Sequence, residues 1–181
     1  ARLQTPNSIV LAQRDIDKEF KSVFIINKKF SIKETKNIND LKLLTKYRFT
    51  FGSENSTSGR LMPQYFLDIA GVKLIDFKGK TVGFSGSHDA TIALVNSGAY
   101  DVGVLNKQVW DRNLKENPKR VNNSTVFFIT PSYVDYHWLA QGNLDQRFRN
   151  GFTKELKEVM LNLDPKNKNQ KLILEMFNAK K

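Results

Sequence analysis

Apolar and polar positions along this chain change period repeatedly, and the changes mark its elements. Val23, Phe24, Ile25 and Ile26 form a continuous apolar run, the pattern of a strand buried on both faces. Residues 28–36 are polar and read as a connection, after which Asn39-Asp40 opens a short helix reaching Leu44. Tyr47, Phe49 and Phe51 alternate with other residues, as a half-buried strand does. Leu61, Tyr65, Phe66 and Ile69 then recur at helical spacing, which predicts a helix over 58–70 with Gly71 as its stop. Pro63 falls in its first turn, where a missing N–H costs little.

The same alternation continues. Residues 81–85 read as a strand, Gly86-Ser87-His88-Asp89 as a tight turn, and 90–96 as a short helix ended near Gly98. Residues 102–105 read as a buried strand, and Asn106 caps a helix running to about Leu114. A charged, Asn-rich loop over 115–123 leads to a strand of β-branched and aromatic residues over 124–129. Phe152, Leu156, Val159, Met160 and Leu163 mark an amphipathic helix, with Lys154, Glu155, Lys157 and Glu158 on its other face. Asp164-Pro165 ends it, and a last helix covers about 169–179. Near the start, Thr5-Pro6-Asn7-Ser8 is a turn-like break. Strands alternating with helices imply an α/β fold with a largely parallel sheet.

In such sheets ligands bind at the carboxyl ends of the strands, where helices begin. Three of these strand-to-helix turns are polar: 53–58, 85–89, and Asn106-Lys107. The first carries three consecutive hydroxyl residues, Ser56, Thr57 and Ser58, at a helix start. Unpaired N–H groups and the positive end of the helix dipole suit a tetrahedral oxyanion there. Ser and Thr are equally the preferred N-caps of helices that bind nothing else, and the local pattern leaves both readings open.

Composition narrows the function classes. The chain has no cysteine, which excludes disulfides, thiolate metal sites and a cysteine nucleophile, and two histidines, His88 and His137, exclude a multi-histidine metal site. No cofactor and no bound metal are expected. No apolar run reaches the roughly 20 residues that span a bilayer, so no membrane insertion is expected. The chain opens at Ala1 without a Met or a signal-peptide pattern, and its start is expected to have been cut or processed. The net charge of +11 raises the question of nucleic acid, but the lysines are spread along the chain with no nucleic-acid motif. No nucleic-acid partner is expected, and the charge would speed encounter with a small anion.

Taken in order, Glu54-Asn55-Ser56-Thr57-Ser58-Gly59-Arg60-Leu61-Met62-Pro63, Phe84-Ser85-Gly86-Ser87-His88-Asp89-Ala90 and Asp101-Val102-Gly103-Val104-Leu105-Asn106 are similar to the phosphonate-binding family of ABC-importer substrate-binding proteins. Ala12-Gln13-Arg14-Asp15-Ile16-Asp17, Ser22-Val23-Phe24-Ile25 and Tyr133-Val134-Asp135-Tyr136-His137-Trp138 resemble a subgroup labelled selenate transporters. The resemblance implies a type II periplasmic binding protein fold, with two α/β lobes joined by crossing strands and a ligand held between them. It places 1–29 as a remnant of the first lobe with the first crossing strand. It places 30–123 as a complete second lobe, and 124–181 as the return strand and C-terminal helices packing on lobe 1. The family's opening βα portion has no counterpart here, so the first lobe is expected to be incomplete.

Carried over residue by residue, Ser56, Thr57 and Ser58 match the hydroxyl motif that holds phosphonate oxygens, and His88 matches the ligand-facing histidine. Asp89 and Asn106 fall near pocket-lining positions, and Tyr133 of the return segment is placed within reach of the cleft. The implied function is the solute-binding component of an ABC importer, taking phosphonate, phosphate, phosphite or a selenate-like anion. The implied location is periplasmic or otherwise extracytoplasmic, the implied partner is an importer permease, and a complete protein is expected to be a monomer. For His88 the bland reading is a turn histidine bonded to local backbone. Asp89 could accept a proton from a monoprotonated ligand or serve as a helix-start carboxylate.

Two other functions use the same residues. A sensory module would employ the fold without transport. A hydrolase would need Ser58, His88 and Asp89 as a nucleophilic set, but no Gly-x-Ser-x-Gly is present and Asp89 adjoins the ring it would have to orient. The expectation is that the chain is not an enzyme.

Overall fold

The computed structural model describes residues 7–177, 179 and 180. In chain order its elements are β1 (Ile9–Ala12), β2 (Ser22–Asn27), β3 (Phe49–Phe51), α1 (Met62–Ile69), β4 (Gly83–Phe84), α2 (His88–Ser97), β5 (Val102–Asn106), α3 (Lys107–Glu116), β6 (Ser124–Ile129), β7 (Trp138–Ala140), α4 (Leu144–Arg147), α5 (Phe152–Leu161) and α6 (Lys168–Met176). They form two compact units, one of Phe20–Ser132 and one of Ala1–Glu19 with Tyr133–Lys181. Both β2 and β6 belong to the sheet of the first of these. The turn expected at Thr5-Pro6-Asn7-Ser8 begins at residues outside those described.

The Phe20–Ser132 unit holds a five-stranded sheet in the order β4-β3-β5-β2-β6. β3 runs parallel to β4 and to β5, whereas β2 is antiparallel to both β5 and β6. Four strands therefore point one way and β2 alone opposes them, the mixed but mostly parallel α/β arrangement expected. All six residues of β2 are buried, as its unbroken apolar run requires. Alternate side chains serve opposite faces. Val23 and Ile25 pack with Ile92, Val95, Leu105 and Trp110. Phe24 instead meets Phe49 and Phe128, with ring centroids 6.2 and 6.0 Å away. Phe49 also stacks on Phe77 at 4.5 Å.

Two local expectations are corrected. β3 is buried at all three of its positions, Thr50 as well as Phe49 and Phe51, so both faces of the sheet are covered there. The helix after it begins as a π-helical turn, Thr57–Leu61, and continues as α1. Its buried face is Pro63, Phe66, Leu67 and Ala70, spaced i, i+3, i+4, i+7. Leu61, Tyr65 and Ile69 share a neighbouring stripe and are 64%, 54% and 51% exposed. Only Phe66 of the apolar set read from the sequence therefore reaches the core.

Side-chain caps fix where the helices start. Ser87 accepts the Ala90 N–H at 3.1 Å and opens α2, which ends at Gly98 in the left-handed region (φ +80°) with its N–H on Val95 O. Asn106 accepts the N–H groups of Gln108 and Val109 at 2.7 and 3.3 Å and opens α3. The other unit contains an antiparallel pair, β1 with β7, together with α4, α5 and α6. The strands β1 and β7 and the one-turn α4 are too short to leave a period in the sequence. Within this unit Asp17 is fully buried and receives two hydrogen bonds from Arg14, each 2.6 Å long.

Candidate functional site

β3 ends at Phe51, β4 at Phe84 and β5 at Asn106, and all three run the same way. The three polar turns that follow them therefore open on one edge of the sheet, as their position after parallel strands demands.

Ser56 caps the π-helical turn, its Oγ accepting the Gly59 N–H at 2.9 Å. The hydroxyl proton is not consumed by that bond, so Ser56 keeps a donor. The backbone around it is tied down by Ser56 N–H to Ser53 O and Leu61 N–H to Ser56 O, both 3.0 Å. Ser58 is buried, and its carbonyl accepts the Ser22 hydroxyl at 2.8 Å. Among the described residues, neither the N–H groups nor the hydroxyls of Thr57 and Ser58 have a hydrogen-bond partner. The turn thus ends in a set of oriented donors.

Two glycines let this turn press against the strand end. Gly52 donates its N–H to Gly59 O at 2.8 Å. A Cβ on Gly52 would lie 3.2 Å from Gly59 Cα, a contact tight enough that the facing backbone would have to give way by a few tenths of an ångström. The imidazole of His88, the first residue of α2, lies against the same two glycines. Its Nδ1 accepts the backbone N–H of Asn106 in a long hydrogen bond of 3.4 Å, which assigns the ring proton to Nε2. Burial pushes the His88 pKa below its ordinary value, with the Asp89 charge opposing the shift. The ring is accordingly a neutral donor at neutral pH.

Asn106 is buried, its Oδ1 caps α3, and its Nδ2 has no partner among the described residues. Asp89 follows His88 in α2, but its carboxylate is engaged with α3 and the segment beyond it. It accepts from Asn113 Nδ2 at 3.3 Å and lies 3.5 Å from Arg120 Nη1 and 3.9 Å from Arg112 Nη2. Tyr133 belongs to the other unit, where it is 9% exposed. The fold therefore brings Ser56, Thr57, Ser58, His88 and Asn106 to one edge as neutral donors, while the Asp89 charge is spent on arginines.

Sequence reasoning missed Gly52, Gly59 and Ser22. A glycine on each side of the hydroxyl triplet was the available signal for the first two. Ser22 left none, because its bond to Ser58 O spans 36 residues. Among the described residues no group of three His, Asp or Glu side chains could hold a metal ion. No helix of the described residues is long and apolar enough to cross a membrane.

Comparison with known proteins gives one consistent result. The family model described as ABC transporter, phosphonate, periplasmic substrate-binding protein matches residues 1–181. The chain is 70% identical over 181 residues to a protein named probable ABC transporter phosphite binding protein PhnD1, from Prochlorococcus marinus strain MIT 9301, and spans 61% of that protein's length. The solved structure of PhnD1 from that organism, in complex with methylphosphonate, superposes with a TM-score of 0.88 over 99% of this chain and 66% of that one. The binding component of a Pseudomonas aeruginosa ABC phosphonate transporter, 20% identical, shares the fold with a TM-score of 0.70 over 99% of this chain and 58% of its own.

Proposed function

The chain belongs to the phosphonate family of ABC-transporter periplasmic substrate-binding proteins, and we propose that it forms most of a receptor that captures a tetrahedral oxyanion and delivers it to an importer permease. The ligand class is phosphonate, phosphite or phosphate, with selenate as the sulfate-like alternative. The relative's complex with methylphosphonate supports the phosphorus oxyanions. The observation that carries the reading is the pair of unpartnered donor residues, Thr57 and Ser58, at a helix start beside a neutral His88.

The chemistry follows from the donor set. Backbone N–H groups, hydroxyls and the imidazole N–H give charge-assisted hydrogen bonds, stronger than neutral ones and stronger still once water leaves. In the proposed complete protein, 1–29 and 124–181 belong with the first lobe and its crossing strands, 30–123 form the second, and closure of the lobes expels that water. Tyr133 is proposed to contribute from the first. The Ser56–Ser58 side offers no carboxylate acceptor, because the Asp89 carboxylate is committed to Arg120 and Asn113. The backbone N–H groups and the imidazole N–H favour the ionised oxygens, and a P–OH proton has only neutral oxygens such as the hydroxyls to accept it there.

Binding without turnover is the reading the geometry favours. A hydrolytic triad needs a carboxylate accepting from the imidazole, whereas His88 Nδ1 is itself the acceptor of a backbone N–H. The protein is proposed to act outside the cytoplasm, as a monomer. The test is a melting-temperature screen of the complete protein against methylphosphonate, phosphite, phosphate, sulfate and selenate, with ester and phosphoester substrates alongside. A phosphorus oxyanion should raise the melting temperature by mass action, with no turnover of any ester. Ester hydrolysis with no response to any anion would overturn the proposal.

A further inference from the structure

Phe51 and Phe84 close β3 and β4 and stack on each other, with centroids 5.7 Å apart and 22° between the ring planes. The guanidinium of Arg60 lies over both rings, its Cζ 4.7 Å from the Phe51 centroid and 5.5 Å from that of Phe84. A stacked guanidinium is held by its faces, so its N–H edges stay available. Among the described residues Arg60 has neither a carboxylate partner nor a side-chain hydrogen bond. The other three arginines of the same unit, by contrast, have carboxylate partners. Arg48 pairs with Asp101, and Arg112 and Arg120 share Asp89.

Arg60 thus stands at the sheet edge where Ser56, Thr57, Ser58 and His88 converge. It adds what that set lacks, since those four residues are formally neutral donors. The two rings restrict its side chain, and among the described residues no carboxylate pairs with it. We infer that Arg60 is the charge-selecting residue of the oxyanion site, a fixed cation that draws anions to the neutral donor seat and favours those of higher charge. The inference rests on the oxyanion reading above and adds to it the source of the attraction. A charge acting in this way accelerates capture, and salt screens it. Contacts made by the seat itself govern release.

The test is stopped-flow association of methylphosphonate with the complete protein, its Arg60→Met and Arg60→Lys variants, and Ser58→Ala as a comparison, at low and high ionic strength. Arg60→Met should lower the association rate by about threefold to tenfold at low salt, with the difference closing at high salt. Dissociation should change little, and Arg60→Lys should restore most of the rate. Ser58→Ala should do the reverse, raising dissociation. An Arg60→Met protein that binds at the wild-type rate at every salt concentration, and differs only in melting temperature, would reduce Arg60 to packing and overturn the inference. The oxyanion reading would survive if Ser58→Ala still weakened binding. A wild-type protein that binds no oxyanion at all would overturn both.

Discussion

His88 rests Cε1 of its ring against Gly59: a Cβ there would stand 3.3 Å from Cε1, as well as 3.2 Å from Gly52 Cα and 3.1 Å from Ser56 Oγ. One missing side chain therefore lets the end of β3, the capped π-helical turn and the first residue of α2 meet. Gly59→Ala must move at least one of these three, and two of the obstacles are a backbone atom and a packed ring. The expected outcome is a stability loss of about 1–3 kcal/mol, as for an overpacked position. Oxyanion affinity should fall by about tenfold. Chemical denaturation and calorimetric titration read the two separately.

Ser56 and Ser58 should separate in their effects. Ser56→Ala removes the acceptor of the Gly59 N–H and should cost about 1 kcal/mol of stability, as loss of an N-cap does. Ser58 contributes its carbonyl, not its hydroxyl, to the internal bond with Ser22, so Ser58→Ala should leave folding nearly unchanged. Together the two substitutions should weaken binding by at least about tenfold in the complete protein. An unchanged dissociation constant in the double variant would remove these hydroxyls from the site.

Asn106 offers a sharper discrimination between capping and ligand contact. Asn106→Asp keeps an oxygen for the Gln108 and Val109 N–H groups and places negative charge at a helix start, so stability should hold. The same charge opposes an anion at this sheet edge, and affinity should fall by about tenfold or more. Asn106→Ala should instead lose about 1 kcal/mol of stability with the cap. Thermal unfolding with parallel titrations checks both arms.

Stability should fall on acidification in two separate windows. Burial lowers the His88 pKa, so between the ordinary value of 6.5 and the lower native one the unfolded chain binds more protons. The contribution is complete above 6.5 and is lost as pH drops through the native value. Burial would raise Asp101, but hydrogen bonds from the Arg48 side chain and backbone, its charge, and Lys29 prevail and hold the carboxyl at about 2 instead of 3.8. Its contribution is present above 3.8 and lost as pH falls toward about 2. His88→Asn should flatten the upper window and Asp101→Asn the lower one in melting temperature against pH.

Much of this was legible before the structure because local chemistry and global fold agree. Ser87, Gly98 and Asn106 announce the ends of α2 and α3, and the apolar run through Phe24 announces the central strand. The three polar turns could be placed on one edge once their strands were read as parallel. What stayed hidden has tertiary causes. The alternation about Phe49 and Phe51 leaves Thr50 on an open face, because the sequence does not show that the second face of the sheet is covered as well. Leu61, Tyr65 and Ile69 satisfy a helical period as well as the face that is actually buried. The commitment of Asp89 to Arg112, Arg120 and Asn113 depends on how α2 and α3 pack, over separations of 23 to 31 residues.

The amide protons of Thr57 and Ser58 report most directly on the seat. Nuclear magnetic resonance of the complete protein, titrated with methylphosphonate, should shift both backbone N–H resonances strongly downfield, together with the His88 imidazole N–H. If methylphosphonate saturates the protein while these three signals stay where they are in the free form, the anion is held elsewhere, and the hydroxyl-rich turn is only a helix cap.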